Sequence, residues 1–472
     1  MHLKFPCIQA IRSLNNIVFK TSFIFIIILF PGCDKFISIP SPKTQLSSSL
    51  VFKNDADAIS AISGIYSSMN SSNGFLSGGA AGINILCGLS ADELNLNLTS
   101  PDYNGFFKNS ISPNNGLLES NLWGEGYKYV YDANSIIAGL TQSNTISETT
   151  RNQILGEAKF IRALCYFYLT NLFGDVPLIT TTDYQTNAIA KRASSSSVYQ
   201  QIILDLKESA QLMSDNFSFT GGEKIRPNKW AAEALLARVY LYQGNWAAAE
   251  NSAGYVIDSS GYALENDLSA VFLKNSVEAI WQLQPVLPNM NTNDGFVFIL
   301  TAAPTLVSLS LPLVQAFEPG DQRKINWLDS ISVSGSSYYY PFKYKVISGT
   351  PVTEYSMILR LAEQYLIRSE ARAQQANFTG ATVDLNIIRN RAGLAALILT
   401  DLSSTLLAIE QERRSEFFTE LGHRWLDLKR THRADVVLGP IKAPDWQSSD
   451  TLYPIPQSEI ITDKSLTQNT GY

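Results

Sequence analysis

Glu412, Glu416 and Glu420 recur at i, i+4 spacing in the stretch ERRSEFFTELGHRWLDLKR, with His423, Arg424 and Asp427 just beyond. On a helix that spacing stacks three carboxylates along one face. Two carboxylates flanking a glycosidic bond are the acid and base of a glycosidase. The neighbours argue against that chemistry. Arg413, Arg414, Arg424 and Arg430 interleave with the acids. A carboxylate beside guanidinium groups has a lowered pKa and makes a poor proton donor at neutral pH. The stretch is read as an ion-paired structural helix, and no catalytic residue is assigned.

Other reactive groups are sparse. Of the three histidines, His2 lies in the N-terminal leader, leaving His423 and His432 without HExxH spacing, and no CxxC occurs. Asn289, Asn291, Asn293 and Asp294 before Gly295 faintly outline a calcium loop. The glycine is displaced by one position and the acids are too few, so an Asn-rich turn is expected, and neither metal nor cofactor. Gly78, Gly79 and Gly82 fit neither GxGxxG nor a P-loop, and GxSxG is absent.

The aromatics carry more information. Sugar rings present apolar C–H faces that stack on Trp and Tyr, while their hydroxyls pair with polar side chains at the edges. Trp123, Trp230, Trp246 and Trp425 fall at helical positions, and Trp281 lies in an apolar strand-like run, so these are assigned to packing. The ligand candidates lie in two irregular segments. They are Tyr103, Phe106 and Phe107 in the first, and Trp327, Tyr338, Tyr339 and Tyr340 in the second, with Trp446 a further possibility.

The elements that must hold these segments are helical. In RNQILGEAKFIRALCYFYLTNLFGDVPLI, Ile154, Ala158, Ile161, Leu164, Cys165, Tyr168 and Leu172 form one stripe. Phe160 and Phe167 widen it, so this helix has more than one packing side. Gly174 and Pro177 end it. Asn54 or Asp55 caps an earlier helix with Ala58, Ile62, Ile65 and Met69 on one face. Trp123, Tyr127, Val130, Asn134 and Ile137 mark another, and Val198, Ile202, Leu206 and Ala210 a third over 196–213. Residues 228–258 read as helix, Gly-Asn turn, helix, in the manner of a tetratricopeptide pair, and 358–391 as a second pair. A further helix is expected over 404–430. The first irregular segment, 70–118, reads as a long loop-rich excursion, and the second, 259–357, as short strands between turns. The Pro-punctuated tail is expected to wrap the surface.

The chain has 472 residues, 45% of them hydrophobic, and a formal net charge of −6. Residues 1–32 hold Lys4, Arg12 and Lys20 and no acid, so their removal takes the charge to −9. An acidic chain is a poor match for nucleic acid. The apolar run Phe23 to Phe30, followed by Pro31-Gly32-Cys33, is too short for a permanent span and reads as a cleavable signal peptide. Its end resembles a lipobox, which makes Cys33 the lipidation site and 33–50 a flexible tether. Cys87 and Cys165 are then small buried hydrophobes.

These pieces together resemble the SusD/RagB family of outer-membrane lipoproteins of Bacteroidetes. The resemblance is carried by FKNDADAISAISGIY (52–66), LWGEGYKYVYDANSII (122–137), GEAKFIRALCYFYLTNLFGDVPLI (156–179), KWAAEALLARVYLYQGNW (229–246), RLAEQYLIRSEARA (360–373), LNIIRNRAGL (385–394), ERRSEFFTELGHRWLDLKR (412–430) and the YPIPQSEI…QNTGY ending. It implies a mainly α fold: a tetratricopeptide-like helix-pair scaffold with long loop-rich insertions and a few short strands. An N-terminal helical region would span 51–258 and a C-terminal region 358–472. It implies a surface lipoprotein that captures an oligosaccharide, or in some members a peptide, and hands it unbroken to a SusC-like TonB-dependent transporter barrel. A purely structural tetratricopeptide adaptor is the rival reading.

Overall fold

The computed structural model describes residues 52–71 and 73–472. The signal run, Cys33 and the tether lie outside them. Helix α1 (Asp55–Ser71) opens at Asn54, whose Oδ1 accepts the Asp57 N–H at 3.0 Å, and it buries Ala58, Ile62, Ile65 and Met69. The next segment departs from the expected loop. It holds α2 (Ile83–Ser90), strand β1 (Leu94–Leu96) and α3 (Pro101–Lys108), and α2 is buried along its whole length. The run INILCGLS is mostly apolar and is buried on every side, so it shows no solvent-facing stripe to read, and its Gly, Ser and Asn flanks hide it. A π-helical stretch over Leu118–Gly124 leads into α4 (Glu125–Gln142).

Helix α5 (Glu148–Phe173) is the axis of the scaffold. Ser147 Oγ caps it, and Asp55 accepts the Ser147 N–H at 2.9 Å, tying α1 to its start. Gly174, at φ +77°, closes it with an N–H bond to Thr170 O. The predicted stripe is buried throughout. Phe160 meets Trp281 edge-on at 5.2 Å and Phe167 meets Tyr242 at 4.9 Å, so the widened stripe does reach several neighbours. Helix α6 (Ser195–Leu212) lies beside α5. Between them Arg162 forks onto Asp205 at 2.8 and 2.6 Å and reaches Asn134 of α4 at 2.7 Å.

Helices α7 (Lys229–Tyr242) and α8 (Trp246–Ser259) form the first pair. Asn228 and Asn245 cap them, and Gly244 turns between them at φ +66°. In the second irregular segment, β2 (Ala279–Leu283) is buried, α9 (Asn293–Phe298) is capped by Thr292, and β3 (Val307–Leu309) pairs antiparallel with β1. Strands β4 (Leu328–Val333) and β5 (Ser336–Pro341) make a hairpin. Its two-residue turn, Ser334-Gly335, has both φ positive, which matches the twist of the flanking strands.

Residues 356–360 are β6 (Ser356–Arg360), antiparallel to β2, so the second pair starts later than its sequence pattern suggests, with α10 (Leu361–Gln374) and α11 (Phe378–Arg391). Arg238 of α7 is bidentate to Glu363 of α10 at 2.6 Å for both bonds, stapling pair to pair. The helix expected over 404–430 is two: α12 (Leu402–Phe417) and α13 (His423–Arg430). Thr419, Leu421 and Gly422 turn left-handed between them. A Cβ on Gly422 would meet Cys87 and Ile83 at 3.0 Å, so this corner is where the chain closes on α2. The tail is partly internal: Tyr453 and Ile455 are fully buried. Cys87 and Cys165 are free and buried. Among the described residues no helix is long and apolar enough to cross a membrane.

Candidate functional site

The carboxylate ladder lies inside the protein. Glu412 and Glu416 are buried, and the acceptors of Glu416 are filled by distant arginines. Arg360 donates to Oε1 at 2.5 Å, Arg391 to the same oxygen, and Arg323 to Oε2 at 3.0 Å. Glu420 takes Arg360 at 2.8 and 3.0 Å and also Lys343. The interleaved arginines serve other acids: Arg413 bonds Asp427, Arg414 and Arg424 bond Asp92, and Arg430 bonds Glu370. Burial raises the Glu416 carboxyl, but Arg391, Arg360 and Arg323 more than offset it and hold it well below the usual range. Glu412 is raised, by burial against the pull of Arg323. Both are buried, and every oxygen of the two carboxylates already accepts from an arginine. The ladder locks α12 to β6, α11 and the Arg323 helix.

The face built by the irregular segments is a strip in which α3, β1, β3, β5 and β4 follow one another. Helix α9 sits beside it. Asn293 Nδ2 donates to Asn70 O at 2.6 Å and Ser77 O at 2.9 Å, and Asn291 Oδ1 accepts the Thr353 and Glu354 N–H groups. The Asn-rich run thus spends its amides on main-chain groups. Below α9 lies a small cavity of about 20 Å³, lined by Asn84, Asp294, Lys343, Tyr344 and Glu420 among others, with room for one water. Burial there lifts the Asp294 carboxyl to about 7.

Three predicted ligand residues are corrected to core. Trp327 is fully buried, its Nε1 donating to Leu268 O at 2.8 Å and its ring edge-on to Phe272 at 5.6 Å. It is the last residue of the helix Gln322–Trp327, whose Asp321 cap and buried Arg323 turn it inward. Phe106 is fully buried against Tyr453 at 5.3 Å, on the inner face of α3. Tyr340 is buried too, its hydroxyl donating to Asp329 at 3.0 Å across the hairpin. The others remain half-buried. Tyr103 donates to Ala80 O at 3.3 Å, and Phe107 lies 5.8 Å beneath the Lys442 ammonium. Tyr338 and Tyr339 stand on opposite faces of β5. Trp446 is half-buried and donates to Asp435 at 2.9 Å. Sequence reasoning missed Phe296, 58% exposed on α9, and Leu98 and Leu287 on neighbouring loops. A lone Phe after Asp-Gly carries no motif, and only the folded chain shows that it points outward.

The architecture is that of a helix-pair scaffold carrying a face built by loops and short strands. Two family models match the chain: one described as "Starch-binding associating with outer membrane" over residues 92–241, and one described as "SusD family" over 328–472. The chain belongs to the SusD/RagB family. SusD-like protein P2 of Formosa agariphila is 27% identical, covering 96% of this chain and 99% of its own length. The starch-binding protein SusD of Bacteroides thetaiotaomicron is 25% identical over 70% of this chain and 75% of its own. A solved laminarin-binding SusD-like protein superposes with a TM-score of 0.74 at 24% identity, covering 89% of this chain and all of that one. The mainly α, tetratricopeptide-like fold expected from the sequence is therefore the fold of this family.

Proposed function

We propose that this protein is a cell-surface lipoprotein of the outer membrane that captures an oligosaccharide on its loop face. It breaks no bond and hands the glycan to a SusC-like TonB-dependent transporter. The observation that carries this reading is family membership together with a relative described as starch-binding, aligned over 70% of the chain. Tyr103, Phe107, Tyr338 and Tyr339, joined by exposed Phe296, offer flat apolar surfaces for sugar rings. The sealed carboxylate ladder supports a non-catalytic role. Cys33, acylated after signal cleavage, supplies the anchor, since each buried methylene adds about 0.8 kcal/mol.

Isothermal titration against a panel of polysaccharides and peptides tests the ligand class. A glycan is expected to bind, and binding of peptides alone overturns the reading. Cys33→Ala is expected to release a soluble, unlipidated protein. The same membrane fractionation as wild type, in cells lacking the partner barrel, contradicts the anchor.

A further inference from the structure

Away from the loop face, α7, α8, α10, α12 and α13 enclose a cleft of about 630 Å³, within the size range of small-molecule sites. Nothing in the capture reading uses it. Tyr242, Trp246 and Leu406 give it an apolar, partly aromatic wall. The facing wall carries Arg413, Asp427 and Arg430, with Glu410 and Arg433 at the edge.

The hydrogen bonds on that facing wall are unevenly spent. Arg430 donates to Glu370 at 2.6 and 2.8 Å and to Asp427 Oδ1 at 2.8 Å. Arg413 gives Nε to Asp427 Oδ2 at 2.7 Å and turns Nη2 to His423. Arg424 and Arg433 each fill one oxygen of Glu410. Every carboxylate oxygen lining the cleft therefore already accepts from a guanidinium. Two buried groups on these walls keep donors to spare. Tyr242 Oη and Arg413 Nη1 are both buried with no hydrogen-bond partner among the described residues. An unmet buried donor is costly, so the pair is primed for an acceptor oxygen.

We infer that this cleft is a second ligand site, taking a carboxylate-bearing sugar whose ring lies on Trp246 and whose carboxylate meets Tyr242 and Arg413. The aromatic wall suits a ring's C–H face. Gln243, Gln374 and Thr431, also lining the cleft, suit its hydroxyls and not the chain of an aliphatic acid. The arginines are held by their own carboxylates, so the donors are fixed in place before the ligand arrives. The site is separate from the loop face and needs no contribution from it.

The test is titration of the full mature chain with trimers of glucuronate, galacturonate and mannuronate, and with the same trimers reduced to neutral sugars. At least one acidic trimer is expected to bind at least tenfold more tightly than its neutral partner. Tyr242→Phe, which keeps the ring and removes only the hydroxyl, is expected to weaken that binding about tenfold. Trp246→Ala weakens it further. Tyr338→Ala, on the loop face, leaves it unchanged, so failure here is distinguishable from failure of the capture reading. Binding of no acidic trimer, equal binding of acidic and neutral trimers, or a Tyr242→Phe variant that binds as wild type overturns the proposal.

Discussion

Glu416→Gln separates a structural carboxylate from a catalytic one. The substitution keeps the side chain's shape and removes its charge. Arg323, Arg360 and Arg391 then lose the anion they share, in a site with no solvent exposure. Removing one partner of a buried ion pair costs about 3–5 kcal/mol. Unfolding entropy near ~2.1 cal/mol/K per residue, over the roughly 420 described residues, gives about 0.9 kcal/mol/K. A loss of ~4 kcal/mol therefore lowers Tm by about 4–5 °C at pH 7. The pH dependence has a fixed sign. Because the folded carboxyl is depressed, its contribution is fully present above the ordinary glutamate value of 4.5 and is lost as pH falls toward the folded value. The gap between the two calorimetric melting curves should therefore close below pH 4.5. Glycan affinity at 25 °C should change by less than about twofold, because Glu416 does not reach the loop face and distant sites act independently. A variant that melts like wild type refutes the structural assignment. So does release of product from a glycan by the wild type that this variant abolishes.

Two further perturbations probe single features. Glu93 is buried, and burial, with the Asp92 carboxylate next, lifts it to about 8, so it is protonated in the folded chain at neutral pH and ionised in the unfolded one. Wild-type stability should accordingly fall as pH rises from 4.5 to 8, and Glu93→Gln should flatten that slope; parallel melting-temperature profiles would count against it. Ala376 occupies, at φ +60°, the turn position that Gly244 fills in the first helix pair, so Ala376→Gly should raise stability by about 0.5–1 kcal/mol in denaturant titration. An unchanged or lower midpoint would show that the turn carries no strain.

The scaffold was legible because its signals are local. The α5 stripe repeats at helical spacing and is closed by Gly174, and Asn228 and Asn245 stand where caps must stand. Ion pairing of the ladder was legible as a tendency, but not its partners. Glu416 bonds Arg391 and Arg323, 25 and 93 residues away, while Arg414, two residues off, reaches Asp92. Only the folded chain brings those groups together. The corner at 418–422 was hidden for a related reason: its left-handed residues answer to α2, packed from far up the chain. The ligand aromatics divide along the same line. Trp327 and Phe106 sit in short helices whose inward side is set by neighbours distant in sequence, so segment membership alone left their direction open.

Capture at the loop face is the central claim, and titration of the mature chain against a glycan panel, with Tyr338→Ala/Tyr339→Ala in parallel, tests it most directly. At least one neutral or acidic oligosaccharide should bind the wild type, and the double variant should lose tenfold or more of that affinity while melting at the same temperature to within about 2 °C. Equal binding of both proteins by every glycan that binds, or no glycan binding at all, would contradict the account.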